Sequence, residues 1–242
     1  CFTNTPRGPS CVNNVAVRHF VLLSLGCLLK YPNHHKHRRE NQILANIDFY
    51  WDLGSTNTYF ALKLIHPIAD QHDANITWHP FNLGHVFKTN NYVLMNEPRD
   101  KLNNRYDDLM RWARKYDLPF ERPKNFPIKT SRALRGAIAM RHWDLELPFI
   151  EAIFTEYWEK DNGEIGEYSE LRKVATRLGV GADEFQEKSE SHSVRQLLID
   201  STNKARVKGV FGAPSIIIEN ELYWGKDRME FIDDHLTKLQ QK

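Results

Sequence analysis

The sequence predicts an α/β fold in which a long helical insertion interrupts a small sheet. Two runs with the alternation of β-strands, residues 47–53 and 75–81, flank a segment with helical features. Residues 98–208 then carry apolar side chains at helical spacing, and a hairpin and a last helix follow them. This order predicts a single sheet whose strands come from both ends of the body of the chain.

The first strand–helix–strand unit is recognised by the residues at its junctions. Ser55 or Thr56 can cap the helix, because their side chains accept hydrogen bonds from free helix N–H groups. Pro67 is expected to kink this helix. Because a helix joins the two strands, we expect them to pair in parallel with a right-handed crossover.

The middle of the chain is predicted to be helical throughout. One helix carries Leu109 and Trp112 and stops at Asp117-Leu118-Pro119. Further helices are predicted around residues 131–143, 148–158, 169–178 and 193–207. This is too much helix for a crossover, so we predict an inserted helical subdomain, residues 98–208, between sheet-forming segments 46–97 and 209–242.

The end of the chain predicts a hairpin followed by an amphipathic helix. Ser215–Ile218 and Glu221–Trp224 are the two expected strands, with a turn between them. The last helix has apolar side chains at spacings of three, four and three: Met229, Ile232, Leu236 and Leu239. This spacing predicts that one face of the helix is buried.

Composition is ordinary for a soluble protein, with 41% apolar and 26% charged residues. The formal charge of +2 is small and argues neither for nor against nucleic acid, because electrostatic binding to phosphates needs a concentrated basic face; no nucleic-acid partner is expected. His79 and His85 flank the same predicted strand, but their spacing suits no familiar zinc site, and no metal is expected.

Residues 1–45 differ from the rest of the chain and contain all three cysteines. The apolar run 20–29 has the length of a signal-peptide core but only about half the length of a membrane span. A basic block with histidines follows it, where a signal peptide has small residues. We therefore expect a disordered leader or sequence upstream of the true start, with no membrane partner. The cysteine-free body fits a reducing compartment, and we expect a cytoplasmic protein.

Two segments predict a thiol-binding site. Residues 209–215 (GVFGAPS) lead through Ala213-Pro214 into an apolar strand, and residues 52–58 (DLGSTNT) join the first strand to the first helix. Thioredoxin-like proteins have a cis-proline at the first position and Cys-x-x-Cys at the second. Here Ser55 stands where the attacking cysteine would be. This resemblance implies a cis peptide before Pro214, and a small thiol, glutathione first, that binds from solution.

Six ordered blocks carry a closer resemblance. They are residues 48–55 (DFYWDLGS), 80–88 (PFNLGHVFK), 108–113 (DLMRWA), 123–127 (PKNFP), 209–214 (GVFGAP) and 224–228 (WGKDR). The chain resembles the 2-hydroxychromene-2-carboxylate isomerase and kappa-class glutathione transferase family, which is related to DsbA. The resemblance implies a thioredoxin-like fold with an inserted helical subdomain. Thr56 and Lys226 depart from the usual isomerase pattern.

The resemblance also implies roles for individual residues, each of which has a simpler alternative. Ser55 would donate a hydrogen bond to the glutathione thiolate as the catalytic residue, or it would only cap a helix. Ala213, beside Pro214, would offer backbone N–H and C=O groups to the cysteinyl unit, or would only begin a strand.

The remaining predicted contacts lie farther along glutathione or at the substrate. Asp227 would hold the γ-glutamyl end, and Lys226 would add a cation there or point into solvent. Lys88 is expected near the glycine end or a substrate carboxylate, unless it is simply solvated. Asn125 would line the cleft or serve only as a turn residue.

These expectations lead to a glutathione-dependent isomerase that acts on a small aromatic intermediate of aromatic degradation. A kappa-class transferase or peroxidase is the alternative enzyme, and a non-catalytic thiol-binding module is the alternative that is not an enzyme. Disulfide exchange is set aside because the predicted site contains no cysteine. The resemblance and the aromatic-rich insertion also predict a homodimer.

Overall fold

The computed structural model describes residues 45–241. The leader predicted for residues 1–45 therefore lies almost entirely outside the described residues. Four strands form one sheet in the order β2-β1-β3-β4. Their bounds are β1 Asn46–Trp51, β2 Asn75–Pro80, β3 Ser215–Ile218 and β4 Glu221–Trp224. The β1–β2 pair is parallel as expected, and the β1–β3 and β3–β4 pairs are antiparallel.

The helices of the described residues surround this sheet. They are α1 Thr56–Gln71, α2 Leu83–Thr89, α3 Arg99–Lys115, α4 Ser131–Met140, α5 Glu146–Trp158, α6 Tyr168–Arg177, α7 Ala182–Glu190, α8 His192–Val207 and α9 Met229–Gln240. The helices α3 to α8 form the insertion between α2 and β3. The predicted fold class is confirmed, whereas the domain boundaries stay a prediction.

Two helices were not predicted, and both bury few apolar side chains. In α2 only Val86 is buried, and in α7 Phe185 is the one large apolar side chain that is buried. The α7 segment has one large apolar residue and so lacks the repeated positions by which an amphipathic helix is recognised, whereas α2 has Leu83, Val86 and Phe87 at helical spacing over only seven residues. Tertiary contacts in the folded chain supply what the local sequence pattern lacks.

The sheet buries different side chains on its two faces, because successive residues of a strand point to opposite sides. Phe49 and Trp51 of β1 face the main core, which also contains apolar residues of α1, α4, α5 and α9. Tyr50 and Ile217 face a smaller cluster that includes Ala205 of α8. Full burial of a side chain such as Phe49 contributes roughly 1.5–3 kcal/mol. The alternation thus anchors α1 on one face and α8 on the other.

The strand register fixes which residues are neighbours at the end of the sheet. Tyr50 lies between His79 of β2 and Ser215 of β3. The chain then leaves β1 through Asp52 toward α1, and it enters β3 directly after Pro214. The start of α1 and the Ala213-Pro214 peptide are therefore brought together at one edge of the molecule. Within residues 45–241, the helices are all too short or too polar to cross a membrane.

Candidate active site

Ser55 connects the start of α1 to the residue before Pro214. Its Oγ accepts a hydrogen bond from the Thr58 N–H at 3.2 Å, which makes Ser55 the N-cap of α1. The same hydroxyl donates to the Ala213 carbonyl oxygen at 2.7 Å. The Ala213-Pro214 peptide is cis. Two predicted site residues, 158 positions apart, are thus joined directly.

The surroundings of Ser55 favour an anion. The first turn of α1 contains no acidic side chain, so its free N–H groups leave partial positive charge at this end. The Ala213 N–H has no acceptor among residues 45–241, although Ala213 is only 6% exposed. A thiolate with a peptide backbone attached would meet a helix N-terminus, a hydroxyl and a free amide here.

Asp52 is the buried carboxylate beneath this corner, and it was not predicted as a site residue. Its Oδ1 accepts from the Gly54 N–H at 2.8 Å, and its Oδ2 accepts from the Leu83 N–H at 2.9 Å and the Thr130 hydroxyl at 3.2 Å. Burial raises the pKa of Asp52, and these three hydrogen bonds partly offset that effect. Asp52 therefore fixes the β1–α1 loop, the start of α2 and the segment before α4 together.

The loop that contains Asn125 is held against the same corner. The Tyr157 hydroxyl donates to the Asn125 carbonyl at 3.0 Å, and the Asn125 side chain donates to the Gly163 carbonyl at 3.3 Å. The neighbouring Trp158 indole donates to the Leu53 carbonyl at 2.9 Å. Asn125 is exposed, and its contact with Gly163 leaves one amide hydrogen and the side-chain carbonyl oxygen available to a ligand.

Two exposed aromatic rings lie beside the Ala213-Pro214 peptide. Phe211 and Trp224 are 53% and 47% exposed, and their ring centroids are 5.1 Å apart. A Cβ atom on Gly212 would come within 2.7 Å of the Trp224 Nε1 atom, so the indole covers Gly212 closely. The Gly225 N–H donates to the Pro214 carbonyl at 3.1 Å, which ties the end of β4 to this peptide. The rings form an apolar surface next to Ala213.

Lys226 is neither free nor pointing into solvent. Its ammonium is 3.2 Å from Asp108 Oδ2 and 4.7 Å from the centre of the Trp112 ring, both on α3. This arrangement combines a salt bridge with a cation–π contact. Asp227 is exposed, and Arg228 contacts its Oδ2 at 2.8 Å. It does not cap α9, because no side chain makes a capping hydrogen bond there.

Lys88 is the predicted site residue with the weakest structural connection to the others. It lies exposed in the last turn of α2 rather than directly after β2. No hydrogen bond or salt bridge among the described residues joins it to Ser55, Ala213 or Asp227. Residues 45–241 also contain no cluster of three or more His, Cys, Asp or Glu side chains that could hold a metal ion.

Sequence patterns could have identified one residue that was missed. Asp52 lies between the aromatic run 49–51 (FYW) and Leu53, so a carboxylate there is unusual and suggests a specific partner. Phe211 and Trp224 carry no comparable signal, because the sequence alone does not show whether an aromatic side chain will be exposed or buried. Only the fold shows that these two rings are solvent-facing neighbours.

Comparisons with known proteins identify the family of the chain. The family model of the DSBA-like thioredoxin domain matches residues 46–237. A 2-hydroxychromene-2-carboxylate isomerase of Sphingobium xenophagum is 29% identical over 196 residues, which cover 78% of this chain and 97% of the relative. Glutathione S-transferase kappa 1 of Caenorhabditis elegans is 28% identical over 215 residues, which cover 81% of this chain and 93% of the relative.

A solved structure shows the same fold. The 2-hydroxychromene-2-carboxylate isomerase structure superposes with a TM-score of 0.72 at 23% sequence identity, covering 81% of this chain and 96% of that chain. Together with the two relatives, this confirms the resemblance to isomerases and kappa-class transferases that the six sequence blocks indicated. These relatives are enzymes of the same family, and their names do not by themselves assign a reaction to this chain.

Proposed function

The chain belongs to the DsbA-like thioredoxin family, and we propose that it is a glutathione-dependent isomerase of a small conjugated aromatic carboxylate. The observation that carries the proposal is the hydrogen bond from Ser55 to the Ala213 carbonyl. It places a hydroxyl at the thioredoxin-type thiol site in a chain without cysteine from residue 28 to residue 242. In this proposal the thiol comes from a bound molecule.

The groups at this site fit glutathione. A cysteinyl unit that lies along residue 213 can donate to the Ala213 carbonyl and accept from its free N–H, as an added strand does. Its sulfur then lies near the start of α1, where the helix terminus favours the thiolate. The transferase relative, whose name specifies glutathione, supports this choice of thiol.

The Ser55 hydroxyl has one proton, and that proton is directed at the Ala213 carbonyl. We propose that the amide of the bound cysteinyl unit replaces the hydroxyl as the donor to this carbonyl. Ser55 then turns its proton to the thiolate while it still accepts from the Thr58 N–H. This exchange keeps the Ala213 carbonyl and the Thr58 N–H paired, and it links thiol activation to correct binding of the peptide backbone.

When bound, glutathione supplies a thiolate that can add reversibly to a conjugated carbon and so permit rotation about the adjacent bond. The protein holds the aromatic part of the substrate against Phe211 and Trp224, where stacking is favourable and water is displaced. The isomerase relatives support an aromatic substrate of this class.

Four further residues are proposed to complete the binding of glutathione and substrate. Asp227 is exposed and takes the γ-glutamyl ammonium, and Lys226, fixed by Asp108, adds positive charge beside the carboxylate. Lys88 and Asn125 are assigned to the glycine end or the substrate carboxylate. A homodimer and a cytoplasmic location remain predictions from sequence, and light scattering of the full chain tests the first.

Calorimetric titration with glutathione, followed by turnover assays on a chromene carboxylate and a halonitroarene, tests the proposal. We expect glutathione binding and isomerisation of the chromene carboxylate. Trp224→Leu should raise KM for the aromatic substrate and leave glutathione affinity unchanged. The absence of heat and of a thermal shift at millimolar glutathione would contradict the proposal.

The same experiment separates the two alternatives. If the protein turns over the halonitroarene but not the chromene carboxylate, it is a kappa-class transferase, the alternative that the Caenorhabditis elegans relative favours. Glutathione binding without turnover of either compound would assign a thiol-binding module.

A further inference from the structure

A second cleft lies between α8 and the β1–β2 pair, and no predicted site residue lines it. Its volume is about 250 Å³. One face of α8 lines it with Leu197, Ser201 and Lys204, which are four and three residues apart. Tyr50 and His79, adjacent in the β1–β2 register, also line it, with ring centroids 4.7 Å apart and nearly parallel planes. We call this cavity the α8 cleft.

Two of the cationic side chains at the α8 cleft, Lys208 and Arg141, are held in place by groups behind them. Asp48 accepts from Lys208 at 3.1 Å through one carboxylate oxygen and contacts His79 Nε2 at 2.9 Å through the other. Arg141 donates from Nε and Nη2 to Glu146 at 2.8 and 2.7 Å, and from Nη2 to the Trp78 carbonyl at 2.9 Å. Positions fixed in this way reduce the entropy lost when a ligand binds.

The unused hydrogen-bonding groups around the α8 cleft are mainly donors. The contacts of Arg141 within residues 45–241 use Nε and Nη2, which leaves the two Nη1 hydrogens free. The Lys204 ammonium makes no salt bridge within the same residues, and Lys208, which contacts Asp48 and the Tyr50 hydroxyl, keeps one of its three hydrogens free. Burial raises the pKa of Tyr50, so its hydroxyl stays protonated.

The carboxylates near the cleft leave part of this set of donors unused. Asp200 is the one carboxylate that lines the cleft, and it already accepts from Gln196 at 2.9 Å. Asp48 and Glu146 lie behind the lining and are engaged by the cations they orient. Three cationic side chains with spare donors therefore face a space that an acceptor can enter.

We propose that the α8 cleft binds a small oxyanion, a carboxylate or phosphate group, through Arg141, Lys204 and Lys208. An apolar part of the ligand would pack against Leu197 and the Tyr50 ring. The volume of about 250 Å³ leaves room for a small ligand with one ring and one oxyanion. This proposal is independent of the reaction at Ser55.

Chemical-shift titrations of the full chain with inorganic phosphate and with benzoate, at constant ionic strength, test this assignment. We expect saturable shifts concentrated at residues 197–208. Binding by phosphate alone would indicate a phosphorylated ligand, and binding by benzoate alone an aromatic carboxylate; either result supports the oxyanion site. Lys204→Gln should weaken binding about tenfold, as loss of a charge-assisted hydrogen bond predicts.

Two control variants make the result decisive. Lys238→Gln removes an exposed cation from α9, outside the cleft, and should leave the affinity unchanged. Ser55→Ala should also leave it unchanged, because Ser55 lies in the thiol site. No saturable shift with either anion would overturn the proposal. Equal anion affinity in Lys204→Gln and Lys238→Gln would also overturn it, and so would loss of anion binding in Ser55→Ala.

Discussion

Ser55 and Ser191 begin the two helices α1 and α8, each sixteen residues long, and they cap them in the same way. The Ser55 Oγ accepts from Thr58 N–H at 3.2 Å, and the Ser191 Oγ accepts from Val194 N–H at 3.3 Å. Their protons go to different places. Ser191 donates to the Lys188 carbonyl three residues earlier, whereas Ser55 donates to Ala213, far away in sequence.

The difference shows what distinguishes a cap from a candidate catalytic residue. Ser191 satisfies only its own helix and the turn before it, and its hydroxyl is partly exposed. Ser55 is 8% exposed, and its proton reaches the peptide that, in our proposal, binds the thiol. The two serines therefore form a matched pair: substitution of either removes a cap, but only one substitution should affect chemistry.

The largest expected effect comes from the carboxylate that supports Ser55. Asp52→Ala leaves the Gly54 N–H, the Leu83 N–H and the Thr130 hydroxyl without their acceptor, so we expect a loss of about 3 kcal/mol in unfolding free energy. Glu190→Ala, next to Ser191, removes only a 4.0 Å surface contact with Arg195 and should cost under about 0.5 kcal/mol. Urea unfolding measures both, and equal losses would contradict this role for Asp52.

A smaller difference in stability is expected between the serines themselves. Ser191→Ala should cost about 1 kcal/mol, the usual value for a lost cap. Ser55→Ala should cost about 2 kcal/mol, because it also leaves the buried Ala213 carbonyl without a donor. Thermal unfolding of both variants in parallel checks this, and a greater loss for Ser191→Ala would break the comparison.

A pH dependence specific to the Ser55 region is also expected. Burial raises the pKa of Asp52, so the folded chain keeps this proton to higher pH than the unfolded chain does. The resulting stabilisation is complete below the unfolded pKa of about 3.9 and is lost as pH rises through the higher folded pKa. Asp52→Asn should remove this decline. Parallel stability profiles of Asp52→Asn and wild type above pH 4 would refute the assignment.

Much of the fold could be predicted because its signals are local. The alternation in β1, the cap at Ser55 and the apolar stripe of α9 each lie within one segment, and the structure agrees with all three. The helix α7 could not be predicted in this way, since Phe185 is its one large buried apolar side chain. Its helical state depends on packing against α4, α6 and α8.

The site residues that belong to a recognisable motif could be predicted from the sequence. Those that become neighbours only when the chain folds could not. Ser55 and Ala213 were identified from their segments, and the structure joins them. The contacts of Lys226 with Asp108 and Trp112 depend on how α3 packs, which no local pattern encodes. The same holds for the exposed pair Phe211 and Trp224, whose proximity depends on the end of β4.

The ultraviolet absorbance of bound glutathione thiolate, followed against pH, is the most direct test that Ser55 activates a thiol. The charge-assisted hydrogen bond is worth roughly 1.5–3 kcal/mol, so Ser55→Ala should raise the thiol pKa by about one to two units. Turnover at neutral pH should then fall about ten- to hundredfold if the original pKa is near or below 7. Ser191→Ala should titrate like wild type. The same midpoint in wild type, Ser55→Ala and Ser191→Ala would contradict the role of Ser55 and leave it a helix cap.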